Sequence, residues 1–185
     1  MAGKQNQRVR LTKQLLSNSL IKLLNDKPIG KITIKELCEN AGLNRSTFYL
    51  YYADQYALLD EIETELIDHA QEHLLKIDSD ANSLQYLSSL LTYIQKRADI
   101  FRTLLCRQES SSFQTAFTDA AFLHLKRHLV LRVPDTVVNY VYNYLIMGCV
   151  SIIKQWIASG FDLSCEAMAE LIFRLSDKAA SAVLQ

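Results

Sequence analysis

The sequence predicts an all-α protein of about nine helices, and three observations carry that expectation. Gly and Pro, the residues that interrupt helices, number only 5 and 2 in 185. Apolar residues recur at i, i+3 and i+4 through long stretches rich in Leu, Ile, Ala, Glu and Lys. Cap residues stand where those stretches begin and end. The chain is long enough for one or two domains with a real core.

The first helix is read over 9–25, with Leu16, Leu20, Leu23 and Leu24 on one face. Pro28 and Gly30 break it, because proline disfavours helix at the residue before it. Thr33-x-x-Glu36 then forms a capping box, in which hydroxyl and carboxylate each satisfy a free backbone N–H. Behind it Ile34, Leu37, Cys38 and Ala41 line one face of a short helix, and Gly42 is placed for the positive φ that ends it. Asn44 is an N-cap residue for a third helix, with Leu43 and Phe48 spaced as a hydrophobic staple. Asp54 caps a fourth, carrying Leu58, Leu59, Ile62 and Leu66. Further helices are expected over 83–98, 100–108, 111–131, 136–158 and 164–183, and the domain boundary is placed between 53 and 54.

Two short helices joined by a Gly-containing turn make a helix-turn-helix, whose second helix enters the DNA major groove. Charge agrees. The formal net charge of the chain is zero, yet residues 1–58 hold nine Lys and Arg against four Asp and Glu, a surplus of five. On the third helix Phe48, Tyr51 and Tyr52 share a face that anchors it, leaving Arg45, Ser46, Tyr49 and Leu50 on the other. Arg45 can bind guanine bidentately, Ser46 and Thr47 can reach bases or phosphates, and Leu50 can touch a thymine methyl. The plain alternative is a helical hairpin whose exposed face reads nothing.

The stretch IGKITIKELCENAGLNRSTFYLYYADQYALL closely resembles the DNA-binding domain of TetR-family regulators, on a match covering roughly residues 8–66. Gly42, Thr47, Phe48 and Tyr49 fall on its most diagnostic positions. The resemblance implies phosphate contacts from Thr33, Thr47 and Tyr49 and base contacts shared by Arg45, Ser46 and Leu50. Asn44 completes the expected DNA-binding set, and Gln55 joins it weakly. There are two departures: Tyr52 stands where the family usually has Phe, which is acceptable if its hydroxyl finds a partner. Gln55 stands where a Lys usually contacts phosphate.

The rest of the chain shows no nucleophile–base–acid grouping and no phosphate loop, so an enzyme is not expected, and no cofactor is implied. His69/His73 and His124/His128 are i, i+4 pairs able to hold a metal, but solvated histidines are commoner and Lys126 and Arg127 oppose a cation at the second, so no metal is assigned. Tyr86, Tyr93, Phe101, Phe113, Phe117 and Phe122 are either plain core or, as the resemblance implies, the lining of a pocket for a small hydrophobic effector. A protein co-regulator is the other expected controller. Residues 136–158 are apolar nearly all round, so one face meets the core and another needs a partner. Tyr142, Leu145, Cys149, Ile152 and Trp156, with Leu171 and Leu175 on the last helix, are assigned to the dimer interface that the resemblance implies. The stretch 137–157 is interrupted by Asn139, Asn143, Lys154 and Gln155, and is read as a doubly packed helix rather than a membrane span.

Four scattered cysteines without a C-x-x-C pair, and an N-terminus without an apolar signal region, point to reduced thiols in the cytoplasm. The expectation is a cytoplasmic homodimeric repressor that binds a palindromic double-stranded operator and is controlled through residues 54–185. A helical adaptor acting through protein partners is the alternative.

Overall fold

The computed structural model describes residues 2–74, 83–106, 111–128 and 134–183. Helices joined by short turns make up the described residues, without strands, and the chain divides into two compact units, Met1–Leu66 and Ile67–Gln185. The first unit therefore takes in three turns of the fourth helix, beyond the 53/54 boundary expected from the sequence.

The N-terminal unit holds α1 (Ala2–Leu24), α2 (Ile34–Ala41), α3 (Arg45–Tyr49) and the start of α4 (Gln55–Leu74), with a 3₁₀ turn at Ile29–Lys31. Helix α1 starts earlier than the apolar pattern, which begins only at Val9, because its first turns are polar. The expected stripe is the core: Leu16, Leu20, Leu23 and Leu24 are buried beside Leu37, Cys38, Phe48, Leu58, Ile62 and Leu66. Ser19 ties α1 to α2 by donating to the Leu37 carbonyl at 2.8 Å. The hydroxyl half of the capping box forms: the Thr33 hydroxyl accepts from the Glu36 N–H at 3.2 Å, while the Glu36 carboxylate accepts from the Lys27 ammonium. Gly42 closes α2 at φ 67°, where a side chain would be strained, and the next residue's N–H reaches back to the Cys38 carbonyl at 2.9 Å.

The C-terminal unit is built from α5 (Ser83–Lys96), α6 (Ala98–Phe101), α7 (Ser111–His128), α8 (Asp135–Ala158) and α9 (Cys165–Val183). Helix α6 runs into a π-helical turn, Arg102–Cys106, where one α-helix was expected, burying Thr103, Leu104 and Leu105. Helix α5 packs chiefly on α9, and α8 lies against α7, α9 and the π turn. The turn between α8 and α9 is organised by Trp156. Its indole N–H donates to the Leu163 carbonyl at 2.9 Å, and its ring meets Phe161 edge-on at 4.8 Å. Gly160 and Phe161, at φ 77° and 63°, make the reversal.

By length and composition α8 is the one described helix capable of crossing a membrane. Its inward side nonetheless packs in the bundle, with Tyr142, Leu145, Ile146, Val150, Ile153, Trp156 and Ile157 all buried.

Candidate nucleic-acid interface

Helix α3 has only five residues, so its stability must come from what it packs against rather than from its own hydrogen bonds. Phe48 and Tyr52 supply that packing. Both rings are buried, with centroids 5.6 Å apart. Tyr51, expected on the same face, is half-buried.

The Tyr52 hydroxyl finds its partner in Glu61 on α4, donating to the carboxylate at 2.9 Å. Lys13 of α1 binds both oxygens of the same carboxylate, at 2.8 and 3.1 Å, and lies 5.4 Å from the Tyr52 ring centre. Burial, reinforced by the neighbouring Glu61 carboxylate, pushes the Tyr52 phenol far above its ordinary value of 10.0, so it stays a donor at neutral pH. One polar cluster thus links α1, the end of α3 and α4.

With that side anchored, the other is free. Arg45, Ser46, Tyr49 and Leu50 are exposed, Tyr49 to 58% and Leu50 to 76%. The Asn44 side chain makes no capping bond and is also exposed. Thr47 is half-buried, as is Gln55. Thr33 is exposed, and because its oxygen only accepts within the cap, its proton remains available to a further acceptor. The cations divide in the same sense. Lys13, Lys27 and Lys35 pair with Glu61, Glu36 and Glu39, whereas Arg8, Arg10, Lys22, Lys31 and Arg45 make no ion pair among the described residues.

Sequence reasoning passed over Tyr56. It is 52% exposed, its hydroxyl has no hydrogen-bond partner among the described residues, and it stands 3.3 Å from where a Cβ on Gly30 would lie. It thereby sits at the turn that carries Lys31 and leads into Thr33. The signal was an aromatic on the polar first turn of α4, which helical periodicity assigns to nothing.

In the C-terminal unit the structure redraws two sets of residues. A cavity of about 400 Å³ opens among α5, α7, α8, α9 and the end of α4. Of the six aromatics expected to line it, only Phe117 does. Tyr93, Phe101, Phe113 and Phe117 instead pack ring against ring at 5.9–6.2 Å, and Phe122 meets Tyr142 edge-on, while Tyr86 is half-buried away from the lining. Aromatic rings satisfy one another when helices bring them close, so the aliphatic residues are left to bound the space. The lining includes Leu90, Leu145, Cys149, Val150 and Ile172.

Tyr142, Leu145 and Trp156, assigned to a dimer interface, are therefore core, and Cys149 faces the cavity with its sulfur 3.5 Å from the Ser176 hydroxyl. Ile152 is half-buried. The outer face of α8 is the opposite one: Tyr140, Tyr144 and Met147 are exposed, the tyrosines to 78% and 71%. On α9 Leu171 and Leu175 are exposed as expected. Burial pushes the thiols of Cys38, Cys106 and Cys149 up, which keeps them protonated and unreactive at neutral pH.

His69 and His73 both lie against Tyr93, and His73 Nδ1 is 3.2 Å from the Ser89 hydroxyl. His124 lines the cavity, and the side chain of His128 lies outside the described residues. Among the described residues no three His, Cys, Asp or Glu side chains gather as metal ligands.

Comparison with known proteins now decides the family. Residues 81–178, about half of the chain, match the TetR-group profile described as the transcriptional regulator C-terminal region. The chain belongs to the TetR family of transcriptional regulators. The curated relatives it matches are named HTH-type transcriptional regulators. It is 26% identical over 167 residues to the HTH-type transcriptional regulator YxbF of Bacillus subtilis, a match covering 86% of this chain and 43% of YxbF. The chain thus spans less than half the length of that relative. The fold is shared with a TetR regulator of Streptococcus agalactiae 2603V (TM-score 0.67, 22% identity, 95% of this chain and 99% of that one). It is shared also with FadR of Bacillus subtilis in complex with stearoyl-CoA (TM-score 0.63, 13% identity, 92% and 98%). At those identities the structural likeness speaks for the fold alone.

Proposed function

We propose that this TetR-family chain is a cytoplasmic repressor that binds a palindromic operator as a homodimer and is released by an effector held in its C-terminal unit. The observation that carries the proposal is the division of α3. Phe48 and Tyr52 are buried, while Arg45, Ser46, Tyr49 and Leu50 stand in solvent, in a unit whose Arg8, Arg10, Lys22, Lys31 and Arg45 make no ion pair among the described residues. A surface of that kind needs an acidic partner with apolar groups between its charges, and the DNA major groove supplies both phosphates and thymine methyls.

In this reading Arg45 reads a base, with Ser46 and Leu50 beside it. Thr33, Thr47, Tyr49 and Tyr56 hold phosphates, and Asn44, unengaged as a cap, is left to join them. Gln55, half-buried, contributes little. The dimer forms through the exposed faces of α8 and α9, with Tyr140, Tyr144, Met147, Leu171 and Leu175 meeting their copies across a two-fold axis. Helix α4, shared by both units, connects effector to DNA.

A mobility-shift assay with genomic fragments, including DNA flanking the chain's own gene, tests the proposal. A retained fragment with dyad symmetry and a salt-sensitive affinity is expected. Failure to retain any duplex at low salt would return the adaptor reading, with control through protein partners.

A further inference from the structure

We infer that the C-terminal cavity takes a small apolar molecule carrying an ammonium-type cation, seated against Asp177, an inference that rests on the effector control proposed above. The cavity's walls are aliphatic and aromatic, and its polar groups are few: Ser83, His124, Ser176 and Asp177. Ser176 is engaged with Cys149. Asp177 carries the one formal negative charge in the lining, and no Lys or Arg lines the cavity among the described residues. Its carboxylate is exposed and makes no ion pair or hydrogen bond among the described residues. The cations of α9 do not neutralise it: Arg174 pairs with Glu170, and Lys178 lies outside the lining.

Three head-group chemistries are thereby separated. A carboxylate or phosphate would find no Lys or Arg in the lining, only the His124 ring, and would meet the like charge of Asp177, which is unfavourable. An uncharged head would gain only the apolar contacts. A cation would keep those contacts and add an attraction to an otherwise unused carboxylate. Size points the same way. At about 400 Å³ the space lies near the small end of ligand cavities, too small for a CoA-sized group. The stearoyl-CoA seen with FadR is a large, polyanionic ligand. This lining fits neither its charge nor its bulk.

The test uses the full chain, without DNA, and three probes that share an eight-carbon tail: octylammonium, octanol and octanoate, each below micellar concentration. Calorimetric titration should rank octylammonium first and octanoate last. Asp177→Asn should weaken octylammonium roughly two- to five-fold, the range of a solvent-accessible charge pair, and leave octanol unchanged. Ala121→Leu, which narrows the cavity, should weaken all three. Octanoate binding as tightly as octylammonium, an Asp177→Asn variant that keeps the preference, an Ala121→Leu variant that binds normally, or no binding by any probe would each overturn the inference. Operator binding by the same preparations is read separately. Octylammonium that binds through Asp177 without releasing DNA leaves the ligand chemistry standing and removes effector control.

Discussion

Replacing Tyr52 with Phe isolates one hydroxyl at the centre of the N-terminal unit. The ring stays, so the contact with Phe48 and the approach of Lys13 to the ring face are retained. What is lost is the 2.9 Å bond to the Glu61 carboxylate. A hydrogen bond to a charged group contributes about 1.5–3 kcal/mol. Glu61 is 44% exposed and keeps Lys13, so water and the ammonium recover part of that loss. The expected cost is therefore about 1–1.5 kcal/mol, below a fully buried bond. For a unit the size of Met1–Leu66 that corresponds to a fall of roughly 4–12 °C in its unfolding midpoint.

Urea unfolding of the full chain, with amide exchange read on α1 and α4, measures it. Tyr52→Phe should speed exchange of amides near Leu16 and Leu58 and leave those around Trp156 unchanged. Glu61→Gln combined with Tyr52→Phe should cost less than the two singles added, because both remove the same bond. A Tyr52→Phe variant as stable as the parent would show that the hydroxyl merely tolerates its site and that the cluster does not anchor α3.

Arg45→Ala should cost about 1–3 kcal/mol on the operator and relax preference at one base pair per half-site, whereas Tyr49→Phe and Tyr56→Phe should weaken operator and scrambled duplex alike. Equal loss on both duplexes for Arg45→Ala would make it a phosphate anchor. Phe48→Ala, which empties a fully buried site, should cost about 3–5 kcal/mol and lower the melting temperature as well as DNA binding; unchanged melting would refute its core role. Lys27 first, then the Thr33 amide, hold the Glu36 carboxyl below its ordinary 4.5. A folded value lowered in this way stabilises fully above the unfolded value and is lost as pH falls through the folded one, so the stability gap between parent and Glu36→Gln should close below about pH 4.5. A gap constant from pH 6 to pH 3 contradicts that. Tyr144→Asp on the outer face of α8 should turn a sedimenting dimer into monomer without unfolding it, and a persistent dimer would place the interface elsewhere.

What the sequence made legible was local. A cap, its glycine stop and the i, i+3, i+4 stripes concern residues within a few positions of one another. So Thr33, Gly42, Asp54 and the leucines of α1 lie where the pattern put them. The aromatics of the C-terminal unit were not legible in the same way. Whether Phe101 lines a cavity or stacks on Phe113 depends on where α6 and α7 meet, and spacing along one helix carries no record of that. Helix α8 shows the limit most clearly. Its sequence is apolar on every side, so periodicity could say that it has two covered faces but not which is inner. Tyr142, Leu145 and Trp156 turned inward because Leu163 and Phe161 close over Trp156 at the turn, a contact that begins past the helix itself.

That same helix joins the two proposals made for the C-terminal unit. Leu145, Ile146, Cys149 and Val150 border the cavity, while Tyr144, Met147 and Gly148, next to them in sequence, are exposed on the outer face. Adjacent residues of one helix cannot move independently, since the backbone hydrogen-bond ladder fixes each side chain's direction relative to the next. A molecule in the cavity touches α8 directly at these residues, and any shift of α8 that it causes reaches the face proposed to meet the second copy within a single turn. Gly148 sits at the middle of that outer face, with nothing within 4 Å of where its Cβ would be. The missing side chain is therefore not demanded by the chain's own packing, and it leaves room for a partner helix to approach closely at the level of the cavity.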